Sequence, residues 1–122
     1  PLREGGTIAD YVRIFDAVFL DVIRRFGPDL VLVSAGQDPL SDDPAGGMCL
    51  VPGDFGYLAT ILSRTVDKPL ACVLEGGYGP SLGIAVASIF QALTGEYHDI
   101  PLIGPAREST ERIVSELRAI VL

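Results

Sequence analysis

The stretch Asp29–Gly47, DLVLVSAGQDPLSDDPAGG, decides the fold. It opens as an unbroken apolar run, Leu30 to Val33, and closes in small, acidic and turn-forming residues. A short apolar run bounded by turn signals is the pattern of a strand buried on both faces, as in a parallel sheet. In open α/β sheets, ligands and reacting groups gather just beyond the carboxyl ends of such strands. Here that place is held by Ser34, Gly36, Gln37 and Asp38, then by Asp42, Asp43 and Pro44. A second apolar run, Leu70–Leu74, opens in the same way into Glu75-Gly76-Gly77-Tyr78-Gly79. The candidate site is this pair of strand-end loops.

Helices are predicted on either side of the strands. Upstream, Tyr11, Ile14, Phe15, Val18, Phe19, Val22, Ile23 and Phe26 recur at the spacing of an amphipathic helix, with Asp10 as its cap and Gly27-Pro28 as its stop. Between the strands, Asp54 is placed to cap a helix that buries Phe55, Leu58, Ile61 and Leu62. After the second strand, Ser81 is placed to cap a third helix whose apolar residues nearly encircle it, so deep packing is expected there, with Gly95 as the stop. Residues 96–106 read as a proline-bearing linker, and residues 107–122 as a last helix with Ile113, Val114, Leu117, Ile120 and Val121 on one stripe.

The order is α-β-α-β-α-α within a single domain. Strand, crossover helix and strand make a right-handed parallel unit. Both strands read as interior ones that need neighbours, so the sheet is expected to be incomplete.

The bulk numbers agree with that expectation. The 122 residues are 48% hydrophobic, with no apolar run long enough for a membrane span. High hydropathy without a span implies apolar surface covered by something outside the chain. A net charge of −7 argues against nucleic acid as the main partner. Cys49 and Cys72 form no CxxC pair and fit a reduced, cytoplasmic protein. The chain starts at Pro1, and its sole methionine is Met48, which is compatible with a fragment.

Asp38, on a loop leaving a buried strand, has the chemistry of a metal ligand, although most aspartates in such loops only cap turns. Asp42 and Asp43 share both readings, and before Pro44 turn capping is favoured. A phenol at Tyr78 could donate to a substrate oxyanion or simply pack over its loop. Glu75 reads as a buried, hydrogen-bonded structural acid. The glycines at 76, 77 and 79 precede a helix and could cradle a phosphate, but the pattern is neither GxGxxG nor a P-loop and carries no lysine or arginine. Ser34 lacks a nucleophile elbow, and lone His98 reads as a surface residue.

PDLVLVSAGQDPLSDDPAGGM followed by LEGGYG resembles the C-terminal part of the histone deacetylase superfamily, in particular its class II-like and microbial acetylpolyamine or acetoin-utilisation branch. The likeness runs from Pro1-Leu2 to about Gly95. It implies a parallel-sheet, three-layer arginase/deacetylase-like fold, here an incomplete fragment. It implies hydrolysis of an N-acetyl amide, acetyl-lysine or acetylpolyamine, with zinc as Lewis acid and generator of the nucleophile.

Residue by residue, the resemblance makes Asp38 a zinc-ligand carboxylate, Tyr78 the oxyanion-stabilising hydroxyl, and Gly76 and Gly77 the wall of the acyl channel. Gln37 stands where the family usually has phenylalanine, and Pro39-Leu40 where it has Ala-His. Gly36, two before Asp38, disfavours the two-metal site of the related ureohydrolases.

The family's zinc site also uses an Asp-x-His pair, and its base a His-His pair; this chain has one histidine, in neither motif. Zinc therefore needs further ligands from a missing N-terminal portion or another subunit, and the chain alone is expected to be inactive. Two rival readings are a non-catalytic, homo-oligomeric interaction module and a phosphate- or nucleotide-binding module.

Overall fold

A computed structural model describes residues 1–97 and 100–121; His98, and the surface reading given to it, lie outside the described residues, as does Leu122 at the end of the predicted last helix. Two parallel strands, β1 (Val31–Ala35) and β2 (Leu70–Leu74), pair in the register Val33↔Cys72. The crossover between them carries α3 (Pro52–Thr65). After β2 comes α4 (Leu82–Leu93), which packs along α3. The shared core holds Leu40, Leu50, Phe55, Leu58, Ala85 and Ile89, and Ala35 and Cys72 of the strands lean onto it. No helix among the described residues is long and apolar enough to cross a membrane.

Burial of both strands on both faces is not what the structure shows. α3 and α4 cover one face, while Leu32 and Val73 on the other are 66% and 52% exposed. The described elements supply a layer for one face only. For the same reason the apolar ring of α4 is half open: Ala85, Ile89 and Ala92 are buried, whereas Ile84 and Phe90 are exposed.

The first predicted helix is longer and less regular than its stripe suggests. α1 (Ile8–Ile14) passes through a π-helical turn (Phe15–Phe19) into α2 (Leu20–Phe26). A π turn closes i→i+5 bonds, so it rotates the residues that follow away from an ideal 3.6-residue stripe. Ala17, Val18 and Leu20 accordingly face the core, while Phe19 and Phe26 are exposed. Gly27, at φ +62°, ends α2 in the left-handed conformation that stops such a helix.

Two of the three predicted caps are displaced by three residues. Thr7, not Asp10, is the N-cap of α1; Asp10 lies three residues in and accepts the Thr7 N–H at 2.9 Å. Val51 precedes α3, Pro52 opens it, and Asp54 reaches back to accept the Val51 N–H at 2.9 Å. An acid at this third position meets the free donors of the first turn as well as a cap residue does. Ser81 does precede α4, but its hydroxyl caps nothing and is engaged elsewhere.

Helix α5 (Glu108–Val121) returns to α1. Asp10 accepts bonds there from the Arg107 N–H at 3.0 Å, from Arg107 Nε at 2.9 Å and from Thr110 Oγ1 at 2.6 Å. Val114 joins Ile14, Ala17 and Val18 in a second, smaller core.

Candidate functional site

Parallel pairing brings Ala35 opposite Leu74, so the two strand-end loops emerge side by side. The Gln37 N–H donates to the Gly76 carbonyl at 3.0 Å and ties one loop to the other. Gly76 and Gly77 have φ of +95° and +91°, a region that disfavours any side chain. At Gly77 the space is filled as well, since a Cβ would come within 2.5 Å of Gln37.

Asp38 is exposed, with its carboxylate between the glycines of both loops. A Cβ on Gly36 would lie 2.9 Å from Asp38 Oδ2, and one on Gly76 within 3.9 Å of both carboxylate oxygens. The absence of side chains there leaves a notch in which the carboxylate is accessible. Asp38 thus has the position and the hard oxygen chemistry of a metal ligand. However, no group of three or more His, Cys, Asp or Glu side chains among the described residues is placed to hold a metal ion. Asp38 fits as one ligand; the described residues do not complete a metal site.

Tyr78 projects from the second loop with its side chain 79% exposed, so the packed alternative does not hold within this chain. Its backbone is held from across the site. Asp43 Oδ2 accepts the Tyr78 N–H at 2.6 Å, and its Oδ1 accepts the Ala45 N–H at 2.9 Å. The Tyr78 bond comes first, then those from Ala45, Gly79 and Gly46, in lowering the Asp43 carboxyl below its ordinary range. Asp42 accepts both the Ser81 N–H, at 3.0 Å, and the Ser81 hydroxyl, at 2.9 Å.

The turn capping expected of Asp43 is present at Ala45, but the larger role of both aspartates is the bridge to the second loop. Local sequence carried the turn signal and nothing that named the distant partners. Asp42 also bears on the phosphate reading. It already takes the first donors at the start of α4, where a phosphate would bind.

Three neighbours complete the picture. Glu75 is exposed rather than buried, and accepts the Ser34 hydroxyl at 3.0 Å. The hydrogen bond expected of Glu75 is present, but it pairs with exposed Ser34 at the open face of the sheet, where the described residues provide no cover. Gln37 is wholly buried; its Nε2 donates to the Ala35 carbonyl at 2.9 Å, while its Oε1 has no partner among the described residues. Cys72 has its thiol pushed upward by burial, which keeps it protonated and makes it a poor nucleophile.

The sequence pattern of the histone deacetylase domain matches residues 1–93. The chain is 41% identical over 95 residues to the "Polyamine deacetylase HDAC10" of Danio rerio, an overlap of 77% of this chain and 14% of that protein. It is 32% identical over 126 residues to "Histone deacetylase 18" of Arabidopsis thaliana, covering 97% of this chain and 18% of the relative.

Among solved structures, the HDA15 HD domain superposes with a TM-score of 0.89 at 26% identity, over 98% of this chain and 33% of that one. The histone deacetylase Clr3 does so with 0.86 at 26% identity, over 98% and 21%. The chain therefore spans a minor part of each of these proteins, and its parallel α/β architecture is part of theirs. On the match over residues 1–93, the chain belongs to the histone deacetylase family.

Proposed function

We propose that this chain forms one side of the active site of a zinc-dependent deacetylase that hydrolyses N-acetyl amides, acetyl-lysine or acetylpolyamine. Asp38 is one carboxylate ligand, the Tyr78 hydroxyl donates to the oxyanion that develops on the acetyl carbonyl, and Gly76 and Gly77 wall the acyl channel. The observation that carries this is the convergence of the two strand-end loops, with Asp38 accessible in the glycine notch beside the loop that bears Tyr78. Zinc, when bound, supplies Lewis acidity and activates the attacking water. The remaining ligands and the base come from outside this chain, from an N-terminal portion or another subunit. Its two free cysteines suit the reducing cytoplasm.

A second reading, a non-catalytic module that covers its open sheet by association, is favoured by the exposure of Leu32 and Val73. One experiment separates the two. Zinc content and acetyl-lysine hydrolysis are measured on the 122-residue chain and on a form extended upstream. The expected result is zinc and turnover in the extended form only, both lost in Asp38→Ala. Turnover in the short chain, or full zinc occupancy and activity in extended Asp38→Ala, overturns the proposal.

A further inference from the structure

Two features leave Tyr78 with little to fix it locally. It follows a pair of glycines in left-handed conformations, and its side chain is 79% exposed. A hydroxyl that stabilises a transition state has to be aimed before the reaction begins. The groups that aim it belong to the acidic loop. Asp43 grips the Tyr78 N–H, and Asp42 grips Ser81 through both its N–H and its hydroxyl. Between these holds, Gly79 passes so close to Asp42 and Asp43 that no Cβ would fit there.

The acidic tip is itself fastened to the core. The Asp43 N–H donates to the Leu40 carbonyl at 3.1 Å, and Leu40 is 1% exposed. Leu40 also bridges to Leu50, likewise buried.

We infer that Asp42 and Asp43 form a clamp that positions Tyr78, with Asp43 a positioning residue for the reaction and the buried Leu40–Leu50 bridge as its anchor. This rests on the oxyanion role proposed for Tyr78. Asp43 touches no reacting atom; it fixes where the tyrosine backbone sits. Its loss therefore lowers turnover through Tyr78 and leaves substrate binding largely alone.

The test uses the zinc-loaded, catalytically complete protein that contains this chain, with an acetyl-lysine peptide. Asp43→Ala is expected to lower kcat roughly 10- to 100-fold with KM within about threefold, the scale of a small misplacement of a reacting group. Asp43→Asn has the same size but one acceptor for two donors. It falls between wild type and Asp43→Ala, and it decides the matter if Asp43→Ala fails to fold. The Tyr78 amide proton should lose exchange protection in step with kcat. Adding Asp43→Ala to Tyr78→Phe should slow the enzyme no further.

An equal loss from Asp43→Ala in both backgrounds overturns the inference, because the aspartate would then act on the fold and not through Tyr78. A large loss in Tyr78→Phe with wild-type turnover in Asp43→Ala and Asp43→Asn overturns the clamp alone. Wild-type turnover in Tyr78→Phe overturns the oxyanion assignment and the clamp together.

Discussion

Asp10 and Asp43 both fasten distant parts of the chain through backbone amides, and they do so under contrasting solvation. Asp10 is wholly buried and gathers Thr7, Arg107 and Thr110, joining α1 to α5. Asp43 lies near the surface and joins the acidic loop to Tyr78. Burial alone would raise the Asp10 carboxyl; the bonds from Thr110, Thr7 and Arg107, with the Arg107 charge, outweigh it and hold the carboxyl below its ordinary value. At Asp43 the bonds from Tyr78 and Ala45 each outweigh the opposing effect of burial.

The contrast separates stability from positioning. A buried carboxylate stripped of donors has nowhere to turn, so its bonds hold the fold together. A surface carboxylate can exchange the same bonds for water. What its bonds set is chiefly the direction of the backbone they hold.

The largest test of that contrast is Asp10→Ala beside Asp43→Ala. Removing Asp10 leaves Thr110, the Thr7 and Arg107 N–H groups and Arg107 Nε without that acceptor, although the Arg107 guanidinium is 35% exposed and keeps the Glu4 and Arg3 carbonyls. A loss of about 2–4 kcal/mol is expected, below the full cost of breaking a buried pair. Asp43→Ala should cost clearly less, because water can take over the bonds of a surface carboxylate. Urea unfolding of the two variants checks both expectations. Equal losses would break the distinction between the two carboxylates.

Gly77→Ala comes next and asks whether the site end is held by backbone shape. The substitution forces a side chain onto φ +91° and into Gln37. Backbone strain alone costs on the order of 1–3 kcal/mol. The expected outcome is a lowered denaturation midpoint larger than that of Asp43→Ala. An unchanged midpoint would mean that the loop can relax, and that the notch around Asp38 is soft.

The elements that position the site were largely legible, and its fastenings were not. Leu30–Val33 and Leu70–Leu74 announce strands because a short apolar run that opens into a polar, glycine-bearing loop has few other uses in so short a domain. Gly76 and Gly77 announce a tight loop for a similar reason. The π turn at Phe15–Phe19 left no such mark, since Phe15 and Phe19 fit a regular stripe as well as they fit the turn that breaks it. Asp10 and Asp54 read as caps from the sequence but sit three residues inside their helices, because a cap residue and an acid three residues later satisfy the same donors. Arg107 and Thr110 could not be matched to Asp10, nor Ser81 to Asp42, because pairing across the chain is decided by packing and leaves no local pattern.

A smaller effect, in pH dependence, sharpens the comparison by adding a third acid. The folded-state value of Asp10 lies below its unfolded value, so its contribution is fully present above the unfolded value, about 3.9. That contribution is lost as pH falls through the folded value, and Asp43 has the same sign. Asp54 has the opposite sign. Desolvation raises it, against the lowering effect of the Val51 N–H, so its penalty is present above the folded value and disappears on acidification. Stability is therefore expected to fall less steeply below about pH 5 in Asp10→Asn than in wild type, and more steeply in Asp54→Asn. At neutral pH, Asp54→Asn should be level with wild type or stabilised by under about 1 kcal/mol, because the amide still offers an acceptor to Val51. Parallel acid limbs in all three proteins would mean that neither acid is coupled to folding.

The smallest expected effect belongs to Arg13, which reaches α5 only a turn away from Asp10. Its Nε and Nη2 donate to the two oxygens of Glu111 at 2.7 and 2.9 Å, a two-pronged pair of good geometry. Both side chains are nonetheless 40% or more exposed, so water and salt compete for each charge. Geometry favours a measurable contribution; exposure keeps it small. Arg13→Ala should therefore shift the urea midpoint far less than Asp10→Ala, and the shift should shrink further at high salt. The two residues fasten the same pair of helices, so the ratio of their losses isolates burial from position. If Arg13→Ala proved as costly as Asp10→Ala, the joint between α1 and α5 would be held by its rim, and burial would not be what distinguishes Asp10 from Asp43.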